Sequence, residues 1–176
     1  MYKELYHHGI KGQRWHVRRY QNKDGTLTKA GKQRAYRRSQ SVYKTLNATE
    51  KKHASYTDDP NTFRDKKSYN QELVTSLSKR DKFKTASVLN MFDAGDALDM
   101  QVMTRSDKRG KGYASHLVDA GIEWVKQSKY KKVLWEVSVD NSASIKLAEK
   151  KGFEFTRNLI TNWDGTPSTL LYTKYL

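Results

Sequence analysis

The chain has 176 residues, 36% of them hydrophobic and 30% charged, which suits one domain with an appendage. It holds no cysteine, excluding disulfides, thiolate metal sites and a covalent cysteine intermediate, and no apolar run nears the roughly 18 residues of a membrane span. Its formal charge of +15 is uneven: residues 1–53 carry 14 Lys and Arg against 3 Asp and Glu, whereas residues 54–176 carry 20 against 16.

Residues 1–26 are rich in Gly, His, Arg and Tyr and end in a turn signal at "NKDG". From Thr28 to about Lys52 breakers are few, and Ala35, Val42, Tyr43 and Leu46 form an apolar stripe that predicts a helix. "YTDDPNT" breaks that pattern. Residues 62–80 then read as a second helix, with Phe63, Tyr69, Leu73, Val74 and Leu77 roughly on one side. After Lys84 the texture changes: "TASVLNMF" and "ALDMQVMT" read as strands joined at "DAGD". Tyr113 to Ser128 reads as a helix, "KKVLWEVSVD" as a buried strand and "NSASIKLAEKKG" as a short helix with Asn141 as N-cap and Gly152 as its stop. "FEFTRNLITNW" and "STLLYTKYL" form a second hairpin around "DGTP". The order predicts an α/β fold with a mixed sheet and flanking helices.

Lys108 to Leu117, "KRGKGYASHL", combines two glycines, three cations and the opening of a helix. Free N–H groups at a helix start, a partial positive charge and glycines that let an anion approach suit a phosphate. The stretch is neither a Walker loop nor a dinucleotide fingerprint, and by itself it reads more readily as a tight strand-to-helix turn than as an anion site.

The order Arg109-x-x-Gly112-x-Ala114, helix, buried strand, then Asn141, Ser144, Lys150, Gly152 and Phe153 resembles the GNAT superfamily of N-acetyltransferases over about residues 85–176. The resemblance implies a GNAT-type central sheet and acetyl-CoA as the ligand. Backbone N–H groups from Arg109 through Gly110, Lys111, Gly112, Tyr113 and Ala114 would hold its pyrophosphate, and Arg105 and Lys108 would add charge. The edge formed by Gln101, Val102 and Met103 would pair with the pantetheine amides. Asn141 would bond the same arm across the opening between the two central strands, with Ser144 beside it. No metal is implied.

The resemblance further implies direct attack of an amine on the thioester in a ternary complex, which needs no cysteine. Many members carry a tyrosine two residues before the matching lysine as the proton donor, and here that position is Ala148. Tyr172, Ser142, Ser144 or water are the candidate replacements. Asp99 and Glu136, on or beside the central strands, are the candidate general bases; Asp99 either lines the acceptor groove or sits in solvent. The segment 54–84 is expected to supply the domain's early elements.

The N-terminal stretch is similar to a short segment of phage and prophage head-associated proteins. The matching residues are His8, Gly9, Lys11, Gly12, Trp15, Arg18, Arg19 and Tyr20, then Asp24, Gly25, Leu27, Thr28, Gly31 and Arg34, with His16 in place of a usual glycine. Residues 1–53 thus read as a basic extension and 54–176 as the acetyltransferase domain. The extension either docks onto a phage head protein or DNA, with basic residues interleaved with Trp15, Tyr20 and Tyr36, or packs as a cap on the domain. The expected function is acetyl transfer to a protein lysine, an N-terminal amine or a small amine, phage- or prophage-encoded, in the bacterial host cytoplasm or on the virion. The alternative is a GNAT-shaped binding module with weak turnover, anchored by its basic arm.

Overall fold

The computed structural model describes residues 19–54 and 64–176. The elements are α1 (Lys29–Tyr43), α2 (Ala48–Ala54), α3 (Lys66–Glu72), β1 (Leu73–Asp81), β2 (Lys84–Ala94), β3 (Ala97–Thr104), a 3-10 turn (Ser106–Lys108), α4 (Tyr113–Lys126), β4 (Lys132–Ser138), α5 (Ser142–Lys150), β5 (Glu154–Thr161) and β6 (Pro167–Tyr175). One six-stranded sheet runs β1-β2-β3-β4-β6-β5. All its pairs are antiparallel except β3–β4.

Strand alternation sends apolar side chains to both faces of this sheet, and each face is covered by helices. Leu117, Val118, Ile122 and Val125 of α4, with Ala148 of α5, pack on Leu89, Met91, Leu98, Met100, Val133 and Trp135. On the other face Ala35, Val42, Tyr43 and Leu46 pack with Tyr69 of α3 against Leu73, Val88, Phe92 and Met103. Side-chain caps start three helices: Thr28 accepts from Gly31 N at 3.1 Å, Asp65 from Lys67 N at 2.7 Å and Asn141 from Ser144 N at 3.2 Å.

Two expectations need correction. The helix expected over 62–80 is helical only in α3; from Leu73 the chain is a strand, because β2 pairs with it from Leu73↔Phe92 to Asp81↔Lys84. Apolar positions at 69, 73 and 77 fit a helical period, but the hydrogen bonds available from β2 decide otherwise. The second correction concerns the basic extension. Its helix breaks into α1 and α2 at 44–47, and α1 lies on the sheet with Val42 fully buried. The N–H of Leu27 donates to the carbonyl of Val74 at 2.9 Å, on the outer strand. Packing therefore carries the folded unit back to Leu27, ahead of the start at residue 54 read from charge; the segment 54–84 supplies α3 and β1 as expected, and 29–54 adds α1 and α2. Of the two readings of the extension, this part acts as a cap. The phage-like residues His8 to Arg18, and His7 and His16, lie outside the described residues.

Candidate functional site

The feature that positions the site is a fork in the sheet. β3 and β4 pair only at Ala97↔Lys132, Leu98↔Val133 and Asp99↔Leu134. Beyond that point β3 follows β2 to Thr104 and β4 follows β6 to Ser138, so the two parallel strands part. A cleft of about 280 Å³ lies at the open end. Val102, Met103 and Thr104 form one wall, Asn141, Ser144 and Leu147 the other, and the loop from Lys108 to Ser115 closes the end.

That loop is shaped by its glycines. Gly110 and Gly112 have φ of 71° and 76°, in the left-handed region that side chains disfavour. Gly112 opens α4 with no side-chain cap. Among the described residues, no backbone or side-chain acceptor is bonded to the N–H groups of Gly110 through Ser115. A run of free amides at a helix start beside a left-handed turn is a cradle for an anion of several oxygens. Across the cleft, the Asn141 carbonyl oxygen is used as a cap, leaving its amide NH₂ for a ligand. Ser144 Oγ accepts from Trp135 Nε1 at 3.1 Å, which leaves its own proton to donate.

Sequence reasoning missed two residues here, Glu50 and His53 of α2, which lie over the cleft. Glu50 pairs with Arg109 at 2.5 Å and accepts from Ser106 Oγ at 2.7 Å and Asn47 N at 3.0 Å. Burial pushes its pKa up, but the bonds from Ser106 and Asn47 and the Arg109 charge outweigh this and hold it below the usual range. His53 Nδ1 lies 3.4 Å from Asp140, next to Asn141 of the opposite wall, without a well-formed hydrogen bond. Lys108 is taken by Asp81 at 2.5 Å.

A second polar group sits behind the fork. Register places Asp99, Gln101 and Glu136 on the α1 face of the sheet. Asp99 is only 5% exposed, so the solvent position expected for it does not hold. Arg64 Nη2 lies 3.5 Å from its carboxylate; the same guanidinium bonds Glu72 and stands 4.1 Å over the Phe92 ring. Burial, reinforced by the charge of Glu136 and opposed by Arg64, pushes Asp99 up to about 7. Burial also raises Glu136, against the pull of Arg64. Gln101 is buried outside the cleft lining, and its amide has no partner among the described residues.

Of the expected site residues, the cleft therefore gathers Val102, Met103, Arg109, Gly110, Lys111, Gly112, Tyr113, Ala114, Asn141 and Ser144. Gln101, Asp99 and Glu136 lie deeper on the same side. Tyr172 does not join them. It pairs with Trp135, whose side chain takes the opposite face from Glu136, and its hydroxyl lies 3.4 Å from Glu149 on α5. That placement leaves Tyr172, expected as a proton donor, outside the cleft lining.

A forked α/β sheet with an anion cradle at its mouth defines the site. Residues 76–153 match the acetyltransferase (GNAT) family, which uses acetyl-CoA. Solved structures agree on the fold. The GNAT domain of PAT from S. lividans is 16% identical with a TM-score of 0.65, covering 80% of this chain and 84% of that one. A putative acetyltransferase from Salmonella typhimurium, solved with its cofactor acetyl-CoA, is 14% identical with a TM-score of 0.61, covering 86% and 91%. A ribosomal-protein-alanine N-acetyltransferase from Brucella melitensis is 16% identical with a TM-score of 0.61, covering 86% and 98%. Residues 54–176 are only about 70% of the chain, so these matches include part of 1–53, in line with the docking of α1. No curated protein matches the sequence.

Proposed function

We propose that the chain acetylates an amine, by direct attack of that amine on the thioester of acetyl-CoA. The observation that carries this is the conjunction at the fork: unbonded amides of Gly110 to Ser115, the free strand edge at Val102 and Met103, and the Asn141 amide facing it. Acetyl-CoA would supply the activated acetyl group, with its pyrophosphate on the loop amides and its pantetheine arm along Val102 and Met103.

The chain's own residues divide the remaining work. Asp99 and Glu136, both pushed toward the neutral form, are bases that accept a proton from the incoming ammonium near neutral pH, directly or through water. The Arg105 N–H to Ala86 bond fixes the alternation so that the Met103 amide faces Val88 of β2, and the Val102 amide, on the open strand edge, is the donor to polarise a carbonyl there. Ala148 is fully buried and offers no proton. Ser144, its oxygen held by Trp135, is a cleft hydroxyl able to hydrogen-bond the departing thiolate.

The acceptor is a protein lysine, a protein N-terminus or a small amine. A phage or prophage origin and attachment to a phage head protein rest on the resemblance of residues 8–34 alone. No described helix is long and apolar enough to cross a membrane.

The test is calorimetric titration of acetyl-CoA into the full chain and into a Gly112→Glu variant, followed by mass spectrometry of amine mixtures. Binding that the variant loses, with acetyl appearing on an amine, supports the enzyme. Binding without transfer to any amine favours the binding module, for which Ala148 is the specific observation. Absence of binding to folded protein refutes the coenzyme site.

A further inference from the structure

The positive charge is not concentrated at the N-terminal end. Residues 1–18 hold four Lys and Arg against one carboxylate, whereas residues 19–54, which form α1 and α2, hold ten against two. Those two carboxylates are occupied, Asp24 by Thr26 at 2.7 Å and Glu50 by Arg109. α1 alone carries Lys29, Lys32, Arg34, Arg37 and Arg38, with no acidic residue.

This cationic helix continues onto the β1–β2 hairpin. Arg38 donates to Ser78 of β1 at 3.2 Å. Burial, with Arg34 and Arg80 nearby, pushes the Arg38 guanidinium down, a sign of like charges crowded on one surface. Lys79, Arg80, Lys82 and Lys84 follow along the hairpin tip, and the one carboxylate among residues 79–84, Asp81, is taken by Lys108.

The hairpin tip is unusual in a second way. Pairing ends at Asp81↔Lys84, so Lys82 and Phe83 form a two-residue turn. Such turns favour glycine or asparagine at a position of positive φ. Lys82 adopts that conformation at φ 54° without being glycine, and Phe83 stands 93% exposed among four cations. Fold stability explains neither choice.

We propose that α1 and the β1–β2 hairpin form a binding surface for single-stranded nucleic acid, with Arg34, Arg37 and Arg80 on phosphates and Phe83 stacking on a base. Crowded arginines lose their mutual repulsion when phosphates bind, and the release of counterions drives the association. One exposed ring suffices to stack one base, whereas it buries too little apolar area to anchor in a bilayer. An acidic protein surface would use the arginines but give Phe83 no flat partner. The surface is continuous with the coenzyme loop through the Asp81–Lys108 pair, yet Phe83 and the exposed face of α1 do not line the cleft.

The experiment measures fluorescence anisotropy of a labelled oligothymidylate of about 20 nucleotides, longer than a site of ~4–16 nucleotides, with the full chain. Salt is varied from about 50 to 200 mM, with a duplex of equal length as comparison. The proposal expects single strand to be preferred, with a log–log salt slope of about −2 to −3 from three or four phosphate contacts. Phe83→Ala, at a fully solvated tip, weakens single-strand binding roughly tenfold without changing that slope. Arg34→Glu/Arg37→Glu/Arg80→Glu, all exposed positions, abolishes binding while residues 1–18 stay intact. Circular dichroism and unchanged acetyl-CoA binding by Phe83→Ala show that the fold persists. The proposal is overturned if the wild-type chain shows no salt-sensitive binding, or if the triple variant binds as well, which would assign the affinity to residues 1–18. It is equally overturned if Phe83→Ala has no effect, if duplex is preferred, if only vesicles of anionic lipid bind, or if the charge reversals change nothing but coenzyme association.

Discussion

Asp99→Asn tests the buried acid behind the fork by its effect on stability as well as on rate. Moving a carboxyl from 3.8 to about 7 is roughly three units, or about 4 kcal/mol at 1.36 kcal/mol per unit. The folded state holds this proton more tightly than the unfolded state, because burial disfavours the anion. The contribution is thus fully present below pH 3.8 and is lost as pH rises through about 7. Asparagine cannot ionise, so it escapes the loss. It does leave Arg64 facing a neutral amide, a cost that does not vary with pH over this range. The stability difference between variant and wild type should therefore drift in the variant's favour by about 2–3 kcal/mol between pH 5 and pH 8, measured by urea unfolding. The rate should follow the same group: kcat/KM of the wild type climbs with pH toward a plateau above 7. In the variant it falls by roughly 10²–10⁴ and loses that limb. A stability gap that stays constant with pH would refute the burial argument. A gap that drifts, with an unchanged rate profile, would leave Asp99 buried and perturbed but remove it as the base.

Glu50→Gln removes a carboxylate that holds Arg109 at the anion loop. Arg109 is half exposed, so the pair contributes at most about 1 kcal/mol. Acetyl-CoA affinity should rise about two- to fivefold by calorimetry; weaker binding would mean that Glu50 positions the loop rather than competing for it. Gly121→Val probes the close approach of α4 to the sheet. A Cβ there would meet Leu89 Cδ2 at 2.5 Å and Met100 Cε at 2.9 Å, ends of flexible side chains that must give way. Overpacking predicts a loss of about 1–3 kcal/mol in urea unfolding, and an unchanged midpoint would contradict the packing.

What was legible in the sequence is what local chemistry decides. Gly110 and Gly112 announce a left-handed turn and Asn141 a cap, each through its own backbone and near neighbours, and the cleft forms where they stand. The elements from Lys84 onward follow from alternation and turn residues. The failures share a different physics. Leu73, Val74 and Leu77 suit a helix or a strand equally, and only the edge of β2 decides between them. Tyr172 and Glu136 lie on opposite faces because Tyr172 is opposite Trp135, a cross-strand register that neither strand encodes alone. α1 was set apart by its charge, yet Gly31, Ala35, Ser39 and Val42 are buried at spacings of four, four and three, a stripe of small residues among cations. Net charge describes the solvated face of a helix, whereas docking depends on the other face. Here the two faces imply different things: the buried stripe joins α1 to the acetyltransferase domain, and the cationic face leaves that domain with a surface for a polyanion. Drawing the boundary by charge merges those two roles into one extension, and that is how Glu50 and His53, carried into the cleft by the same docked segment, were overlooked.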